Sequence, residues 1–170
     1  GFLASVCRQV ERSAEELENL GVRCAVIRTG VVLGRGGGAL PRLILPFRLY
    51  FGGHLGTGRQ WFSWISLEDE VAAIRFLVEN EQLRGVFNLT APKPVTMKEF
   101  CQILGKVLNR PVWLNVPAFA ARLALGEMAD EMLLSGQRVL PTRLPAASFK
   151  FKYPDLEKAL SVIVKRLLQN

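Results

Sequence analysis

The chain opens with a helical hydrophobic pattern and continues with a buried strand. Apolar residues recur every three or four positions over residues 2–17, and Gly21 follows where a helix commonly ends in the left-handed conformation. Residues 23–29 carry a nearly unbroken apolar centre, which is typical of a parallel strand covered on both faces. A helix followed by a buried strand is half of a βαβ unit, so the pattern predicts an α/β fold.

The next segment combines glycines, prolines and aromatic residues. A glycine-rich loop at 34–38 precedes a predicted helix over 39–50, which we expect Pro46 to kink or split. The loop either supplies backbone freedom or cradles a phosphate. After a second glycine-rich turn, the aromatic run at 61–65 predicts a short strand.

Capping signals mark the helices that follow. Ser66 with Asp69 three residues later predicts a helix start, and Thr96 with Glu99 forms a capping-box pattern before an amphipathic helix. The remaining predicted elements are strands over 85–90 and 113–116 and helices over 117–127 and 154–168.

Composition and charge exclude several classes of protein. The chain has 170 residues, of which 49% are hydrophobic, which suffices for one globular core; it contains no apolar run long enough for a membrane span. The net charge of +7 is spread along the chain without a basic run, so we predict neither a nucleic-acid partner nor a membrane partner. Binding of a phosphate-rich cofactor would account for part of the excess positive charge.

The cysteines and the single histidine carry little chemistry. Cys7, Cys24 and Cys101 are odd in number and lie among apolar residues, which predicts free, buried thiols in a reducing compartment. The cytoplasm is the first expectation, with mitochondrion and nucleus left open. His54 is the one histidine, and no paired-cysteine or H-E-x-x-H motif occurs, so no metal site is predicted.

Three motifs in register resemble the extended short-chain dehydrogenase/reductase and nucleotide-sugar epimerase superfamily. They are residues 28–34 (RTGVVLG), 56–69 (GTGRQWFSWISLED) and 85–90 (GVFNLT). The tail narrows the resemblance to the epimerase family proteins of the atypical short-chain dehydrogenases, with their DUF1731-type C-terminal domain. The tail motifs are residues 117–128 (PAFAARLALGEM), 136–141 (GQRVLP) and 149–160 (FKFKYPDLEKAL).

The resemblance implies a fold and a domain division. The chain is expected to be the C-terminal part of an NAD(P)-binding Rossmann-like fold, with a small substrate-side α/β subdomain. Residues 1–95 would be the C-terminal portion of the Rossmann-like domain, and residues 96–170 the substrate-capping domain. Because no G-x-G-x-x-G occurs, the first half of the cofactor domain is expected on a missing N-terminal part.

The resemblance also implies a cofactor, NADP, and residues that approach its nicotinamide end. These residues are Arg28, Thr29, Gly30, Val31 and Val32. A backbone contact from Val31 or Val32 is the preferred hypothesis, and the alternative is that both merely extend the strand.

Catalytic and substrate-binding positions depart from the superfamily pattern. If Glu11 matches the glutamate that follows the Tyr-x-x-x-Lys pair, Leu3 and Cys7 replace that pair, and neither can exchange a proton as the mechanism requires. The catalytic residues are therefore unknown.

On the substrate side, Phe62 stands where an arginine often binds a diphosphate, and Arg59 is out of register. Arg59, Trp61 and Trp64 are assigned to a substrate pocket, with a core role as the alternative for the two tryptophans.

Two functions follow. The first is an NADP-dependent oxidoreductase or epimerase-like protein acting on an unidentified small molecule. The alternative is a non-catalytic NADP-binding sensor or scaffold.

The strand at 23–29 would also expose an edge, which we expect to pair with the missing half or with another copy of the chain.

Overall fold

The computed structural model describes residues 2–116 and 136–168. The helices within these ranges are α1 (Phe2–Asn19), α2 (Ala39–Arg48), α3 (Leu67–Glu79), α4 (Met97–Leu108), α5 (Arg143–Ala146) and α6 (Leu156–Leu168). The strands are β1 (Ala25–Thr29), β2 (Val31–Leu33), β3 (Gly53–Leu55), β4 (Trp61–Phe62), β5 (Trp64–Ser66), β6 (Gly85–Leu89), β7 (Val95–Thr96) and β8 (Leu114–Val116).

Strand pairing confirms the predicted α/β class. β1 runs parallel to β6, with Ala25 opposite Gly85 and Thr29 opposite Leu89. β2 pairs in parallel with β5, and β3 pairs in parallel with β8, whereas β4 and β7 are antiparallel. Parallel partners require crossover connections, and the helices of the chain supply them.

Gly30 allows the chain to pass from β1 directly into β2. Its N–H donates to the carbonyl of Leu89 at 3.0 Å, and the next N–H, from Val31, donates to the carbonyl of Ser63 at 2.8 Å. A Cβ atom on Gly30 would lie 2.6 Å from the Ser63 carbonyl oxygen and 2.9 Å from the Thr90 methyl group. The step between the two strand pairs therefore requires glycine for space rather than for an unusual φ angle.

The larger hydrophobic core lies between α2, α4, α6 and the central strands. Trp64, Phe100 and Leu160 are fully buried in it, and the Phe62 ring centroid lies 4.4 Å from that of Phe100. A second core packs α3 against β6 and the tail. Its fully or almost fully buried members include Ile65, Ala73, Leu77, Phe87, Leu89 and Leu144.

Both predicted helix caps are confirmed. The Ser66 hydroxyl accepts the N–H of Asp69 at the start of α3. Thr96 and Glu99 form a complete capping box at the start of α4, and the hydrogen bonds that Thr96 donates lower the pKa of the Glu99 carboxyl.

Asp69 does more than begin a helix, because its buried carboxylate binds the tail. It accepts the N–H groups of Lys152 at 2.7 Å and Tyr153 at 3.0 Å, and the Ser66 hydroxyl at 2.8 Å. The side chain is 1% exposed. Charge-assisted bonds of this kind are stronger than neutral ones, so Asp69 fixes residues 152–153 against the start of α3.

Several local predictions were wrong. The aromatic run at 61–65 is not one strand: β4 and β5 separate at Ser63 and join different partners, because Ser63 turns its carbonyl toward Val31. Helix α2 continues through Pro46, so it is not split there, and it ends at Arg48 rather than at residue 50. The other half of that expectation, a kink at Pro46, stays a prediction. The predicted helix at 117–127 lies outside the described residues.

Exposure also differs from expectation at the first strand and the thiols. β1 is not covered on both faces in this chain, because Ile27 is 42% exposed. All three cysteines are free, yet Cys7 is exposed and Cys24 is half-buried, since the face of α1 that carries Cys7 contacts few described residues. Cys101 is buried as predicted, and desolvation raises its pKa to about 12. Among residues 2–116 and 136–168, no helix is long and apolar enough to cross a membrane.

Replacing Asp69 with Asn should destabilise the protein. In the variant, the amide NH2 group would face at least one backbone N–H that now donates to a carboxylate oxygen, so that hydrogen bond would be lost. We expect the free energy of unfolding to fall by about 2–3 kcal/mol. Chemical denaturation measures this loss. Glu79→Gln, which removes an exposed ion pair with Arg75, is the matched control and should cost about 0.5 kcal/mol or less. Equal losses in both variants would contradict the role given to Asp69.

Candidate functional site

The carboxyl ends of β1 and β6 meet beside a cavity of about 380 Å³. Open α/β sheets bind their ligands at this end of parallel strands. We call this the strand-end cavity, and it is lined by Arg28, Thr29, Gly30, Asn88, Thr90, Gln137, Arg138, Val139 and Leu140.

One wall of the strand-end cavity comes from the tail. The Ser63 hydroxyl donates to the Gln137 carbonyl at 2.7 Å and accepts the Val139 N–H at 3.0 Å. Asn88 and Thr90, at the end of β6, donate to the carbonyls of Leu140 (3.2 Å) and Val139 (3.4 Å). The side chains of Ser63, Asn88 and Thr90 thus hold residues 136–140 across the strand ends. We call residues 136–140 the wall segment.

Gly136 sets how closely the wall segment approaches β4. A Cβ atom there would lie 2.6 Å from the Trp61 nitrogen and 2.7 Å from the Trp61 carbonyl oxygen. These are backbone atoms that cannot move aside without disturbing β4. Any larger residue would therefore push the wall segment away from the strand ends.

Arg28 is held by Glu11 of α1. Its Nε lies 2.7 Å from one Glu11 oxygen and its second terminal nitrogen 2.8 Å from the other. The bidentate hydrogen bond lowers the pKa of Glu11 and raises that of Arg28. Both side chains are partly exposed, so the ion pair contributes little to the stability of the fold. Its effect at the cavity is to compensate the charge of Arg28.

Thr29 turns its hydroxyl away from solvent toward Glu70 of α3. The hydroxyl donates to Glu70 Oε1 at 2.9 Å, while Glu70 Oε2 is buried without a partner among the described residues. Glu70 as a whole is 7% exposed. Burial raises the pKa of Glu70, and the Thr29 hydrogen bond opposes that shift without cancelling it.

The structure brings together three of the five residues predicted to approach a cofactor. Arg28, Thr29 and Gly30 line the strand-end cavity. Val31 and Val32 lie in β2, where Val31 packs on the larger core and Val32 on the second core. A backbone contact from either valine remains a prediction, and the Val31 N–H is already bonded to Ser63.

The three residues predicted for a substrate pocket are dispersed. Trp64 is fully buried and its indole N–H donates to the Lys93 carbonyl at 3.1 Å. Trp61 is half-buried beneath the guanidinium of Arg138, whose central carbon lies 5.1 Å from the ring centroid. Arg59 is exposed. The pocket assignment of these residues stays a prediction.

Sequence reasoning missed the polar residues at the end of β6 and the whole wall segment. Asn88 and Thr90 were part of a quoted motif, and the rule that ligands bind at strand ends could have identified them. No sequence signal could have placed residues 137–140 here, because tertiary hydrogen bonds bring them from a distant part of the chain.

The residues aligned with the superfamily's acid/base pair lie on α1. Cys7 is exposed and lies one helical turn before Glu11. The Leu3 side chain falls outside the described residues. Across the parts of the chain that the structure describes, no three His, Cys, Asp or Glu side chains form a group able to hold a metal ion.

A second cavity, of about 370 Å³, lies between the start of α3 and α6. Its carboxylate, Glu68, accepts hydrogen bonds from Lys152 at 2.6 Å and from Arg166. These cations lower the pKa of Glu68. Because Glu68 is already bonded to both cations and the cavity lies away from the strand ends, we assign it no ligand.

Comparison with known proteins places the chain among short-chain dehydrogenase relatives. Residues 116–163 match the domain of unknown function DUF1731. The chain is 49% identical to the SDR39U1 homolog, an epimerase family protein of Arabidopsis thaliana described as chloroplastic, over 96% of this chain and 47% of that protein. It is 45% identical to the epimerase family protein YfhF of Bacillus subtilis, over 96% of this chain and 53% of that protein. The chain thus spans about half the length of these curated relatives.

Solved structures give the same result for the fold. Human epimerase family protein SDR39U1, crystallised with NADPH, superposes with a TM-score of 0.80 at 39% identity, covering 86% of this chain and 50% of that one. A nucleoside-diphosphate sugar epimerase from Corynebacterium glutamicum superposes with a TM-score of 0.73 at 32% identity, covering 96% of this chain and 31% of that one. The predicted Rossmann-like α/β class is confirmed.

Glu70 should make stability depend on pH. Because its folded pKa is raised, the folded state favours the protonated acid, and the stability that this contributes is lost as pH rises through the folded pKa. Glu70→Gln keeps an oxygen acceptor for Thr29 and carries no charge. We therefore expect the free energy of unfolding of the variant, relative to the parent, to increase between pH 4 and pH 8.

Urea denaturation at several pH values measures that difference. Glu81→Gln, which removes an exposed charge two residues beyond α3, is the control and should track the parent. If the difference between the variant and the parent stays constant with pH, the pKa of Glu70 is not raised in the folded state, and the prediction is contradicted.

Proposed function

This chain belongs to the epimerase family proteins of the short-chain dehydrogenase/reductase superfamily, and from that membership we propose that the full-length protein binds NADPH. We further propose that it acts as an NADP-dependent oxidoreductase or epimerase-like enzyme on a small molecule. The observation that carries the proposal is the strand-end cavity, which lies where this fold places a dinucleotide and is walled by hydrogen-bonding residues.

The residues of the cavity fit the nicotinamide end of the cofactor. The Asn88 side-chain N–H donates to Leu140, which leaves its amide oxygen to accept a carboxamide N–H, and Gly30 lines the cavity with main chain alone. The sequence contains no G-x-G-x-x-G motif. We assign that motif to the half of the full-length protein that the relatives possess beyond this chain.

NADPH would supply a hydride. In this proposal the chain's own residues bind and orient the reactants: Glu70 fixes the rotamer of Thr29, and Glu11 fixes Arg28 beside the cavity. The wall segment covers the strand ends and reduces access of water to them. None of these groups is assigned as the proton donor.

A second candidate function is an NADPH-binding sensor or scaffold without turnover. The observation that favours it is the replacement of the superfamily's Tyr-x-x-x-Lys pair by Leu3 and Cys7, if Glu11 is the matching glutamate. Glu11 forms the bidentate pair with Arg28. A leucine cannot exchange a proton.

We also propose that the open edge of β1 pairs with the other half of the full-length protein. The outer edge of β6 is covered, because Arg143 donates to the carbonyls of Arg84 and Val86. Among the described residues, the other edge of β1 has no strand partner. Ile27 on β1 and Val10 on α1, 42% and 61% exposed, form apolar surface beside it. A second copy of the chain is the alternative partner.

NADPH titration tests the cofactor proposal. We expect submicromolar binding by the full-length protein, read from quenching of its tryptophans, and weak or no binding by this chain, which lacks the pyrophosphate motif. Asn88→Ala should weaken binding about fivefold, the value of one neutral hydrogen bond. Arg84→Ala, at the opposite end of β6, is the control and should bind as the parent does.

Absence of binding to the full-length protein would contradict the proposal. Where NADPH binds, following its oxidation over a panel of carbonyl compounds distinguishes the two candidate functions. Turnover supports the enzyme, and binding without turnover across the panel supports the sensor.

The edge proposal predicts association of the isolated chain. Light scattering should detect a dimer or larger species, and a separately expressed N-terminal half should convert it to a one-to-one complex. Ile27→Lys should weaken both associations by placing a charge on the apolar edge. Val78→Lys, on an exposed part of α3, is the control. A stable monomer that does not bind the N-terminal half would contradict the proposal.

A further inference from the structure

We propose that the strand-end cavity selects an anionic substrate, and that Arg138 binds the carboxylate or phosphate group of that substrate. The proposal rests on the proposed function, because it concerns the substrate of the same site. It adds a chemical class and a residue that neither the family nor the motifs assign.

The first argument is the balance of charge at the cavity. Two guanidinium groups, those of Arg28 and Arg138, line it, and no carboxylate is among the described residues of its lining. Glu11 already binds Arg28 through two hydrogen bonds. Within residues 2–116 and 136–168, Arg138 has no acidic partner, so among these residues its positive charge is uncompensated.

The second argument is that contacts with the described residues hold Arg138 in place without using its side-chain hydrogen-bond donors. On either side of it, the Gln137 carbonyl and the Val139 N–H are bonded to the Ser63 hydroxyl, so the backbone is fixed at both neighbours. The guanidinium lies over the Trp61 ring. A cation–π contact positions the charge and leaves the five N–H donors of arginine for a ligand.

The third argument is that three other polar side chains around the cavity are engaged, which leaves Gln137 as a neutral donor beside Arg138. Asn88 and Thr90 donate to carbonyls of the wall segment, and Thr29 donates to Glu70. Arg138 is therefore the charged donor available to an incoming molecule. A guanidinium binds carboxylate and phosphate oxygens in a forked geometry, which favours these groups over neutral ones of the same shape.

The anion could belong to the substrate or to the cofactor, and we assign it to the substrate. The phosphates of a dinucleotide bind at a glycine-rich turn and a helix N-terminus. Neither the motif nor such a helix lies at this cavity in the described residues, whereas Arg138 lies on the wall segment, which comes from the tail. The position suits the group that reacts with the cofactor rather than the cofactor's own phosphates.

The test compares charged probes with neutral analogues on the full-length protein. Pyruvate and phenylpyruvate are titrated against their methyl esters, and glyceraldehyde 3-phosphate against glyceraldehyde, with and without NADPH. Binding is measured by calorimetry. The parent should bind each charged probe more tightly than its neutral analogue.

Substitutions identify the residue responsible. Arg138→Gln should weaken binding of the charged probes by about tenfold to a hundredfold and leave the neutral analogues unchanged. Arg138→Lys should restore part of the loss, because it keeps the charge without the fork. Arg84→Gln removes the same charge at the opposite end of β6 and should have no effect. Trp61→Leu keeps the charge, removes the ring under the guanidinium, and should weaken charged probes several-fold.

The outcomes separate this proposal from the proposed function. If Arg138→Gln weakens NADPH as much as it weakens the charged probes, the anion is a cofactor phosphate and the assignment to substrate is overturned. Equal affinity of the parent for charged and neutral probes, or no binding of any charged probe, also overturns it. Loss of charged-probe binding with unchanged NADPH affinity supports it. A protein that does not bind NADPH but still discriminates charged probes through Arg138 disproves the cofactor proposal and leaves the anion site standing.

Discussion

Ser63 is the residue on which the arrangement of the candidate site depends. Its carbonyl accepts the first N–H of β2, and its hydroxyl both donates to and accepts from the wall segment. The same carbonyl lies where a Cβ on Gly30 would have to be. One residue thus fixes the step from β1 to β2, the separation of β4 from β5, and the position of the tail across the strand ends. A small polar side chain is required, because a larger one would displace the segment that it holds.

The tail is attached at two points that serve different purposes. At Asp69 a buried carboxylate binds consecutive backbone N–H groups, which anchors residues 152–153 to α3. At Ser63, Asn88 and Thr90 neutral hydrogen bonds hold the wall segment near solvent. Charge-assisted buried bonds give the stronger attachment, while weaker surface bonds can exchange with water or with a ligand. The strong anchor maintains the fold, and the weaker contacts shape the cavity.

Local signals in the sequence predicted the helices and their caps well, because these depend on neighbouring residues. Ser66, Thr96 and Glu99 act as their spacing predicted. The aromatic run at 61–65 was misassigned, because its division at Ser63 depends on partners elsewhere in the chain. For the same reason the sequence pointed to Arg28, Thr29 and Gly30 but not to Arg138. Strand ends can be located from a pattern of residues, whereas a wall brought in by tertiary hydrogen bonds cannot.

The origin of the wall segment has a consequence for how the site is acquired during synthesis. β1 and β6 emerge from the ribosome long before residues 136–153, and parallel pairing between them can form first. Until residues 136–153 emerge, the strand ends have no wall, and Asp69 and Ser63 lack the partners that these residues supply. A nascent chain that has not reached residue 136 would therefore carry the strand ends without the wall segment. The strand-end cavity is complete only once a distant part of the chain has been synthesised and has folded back.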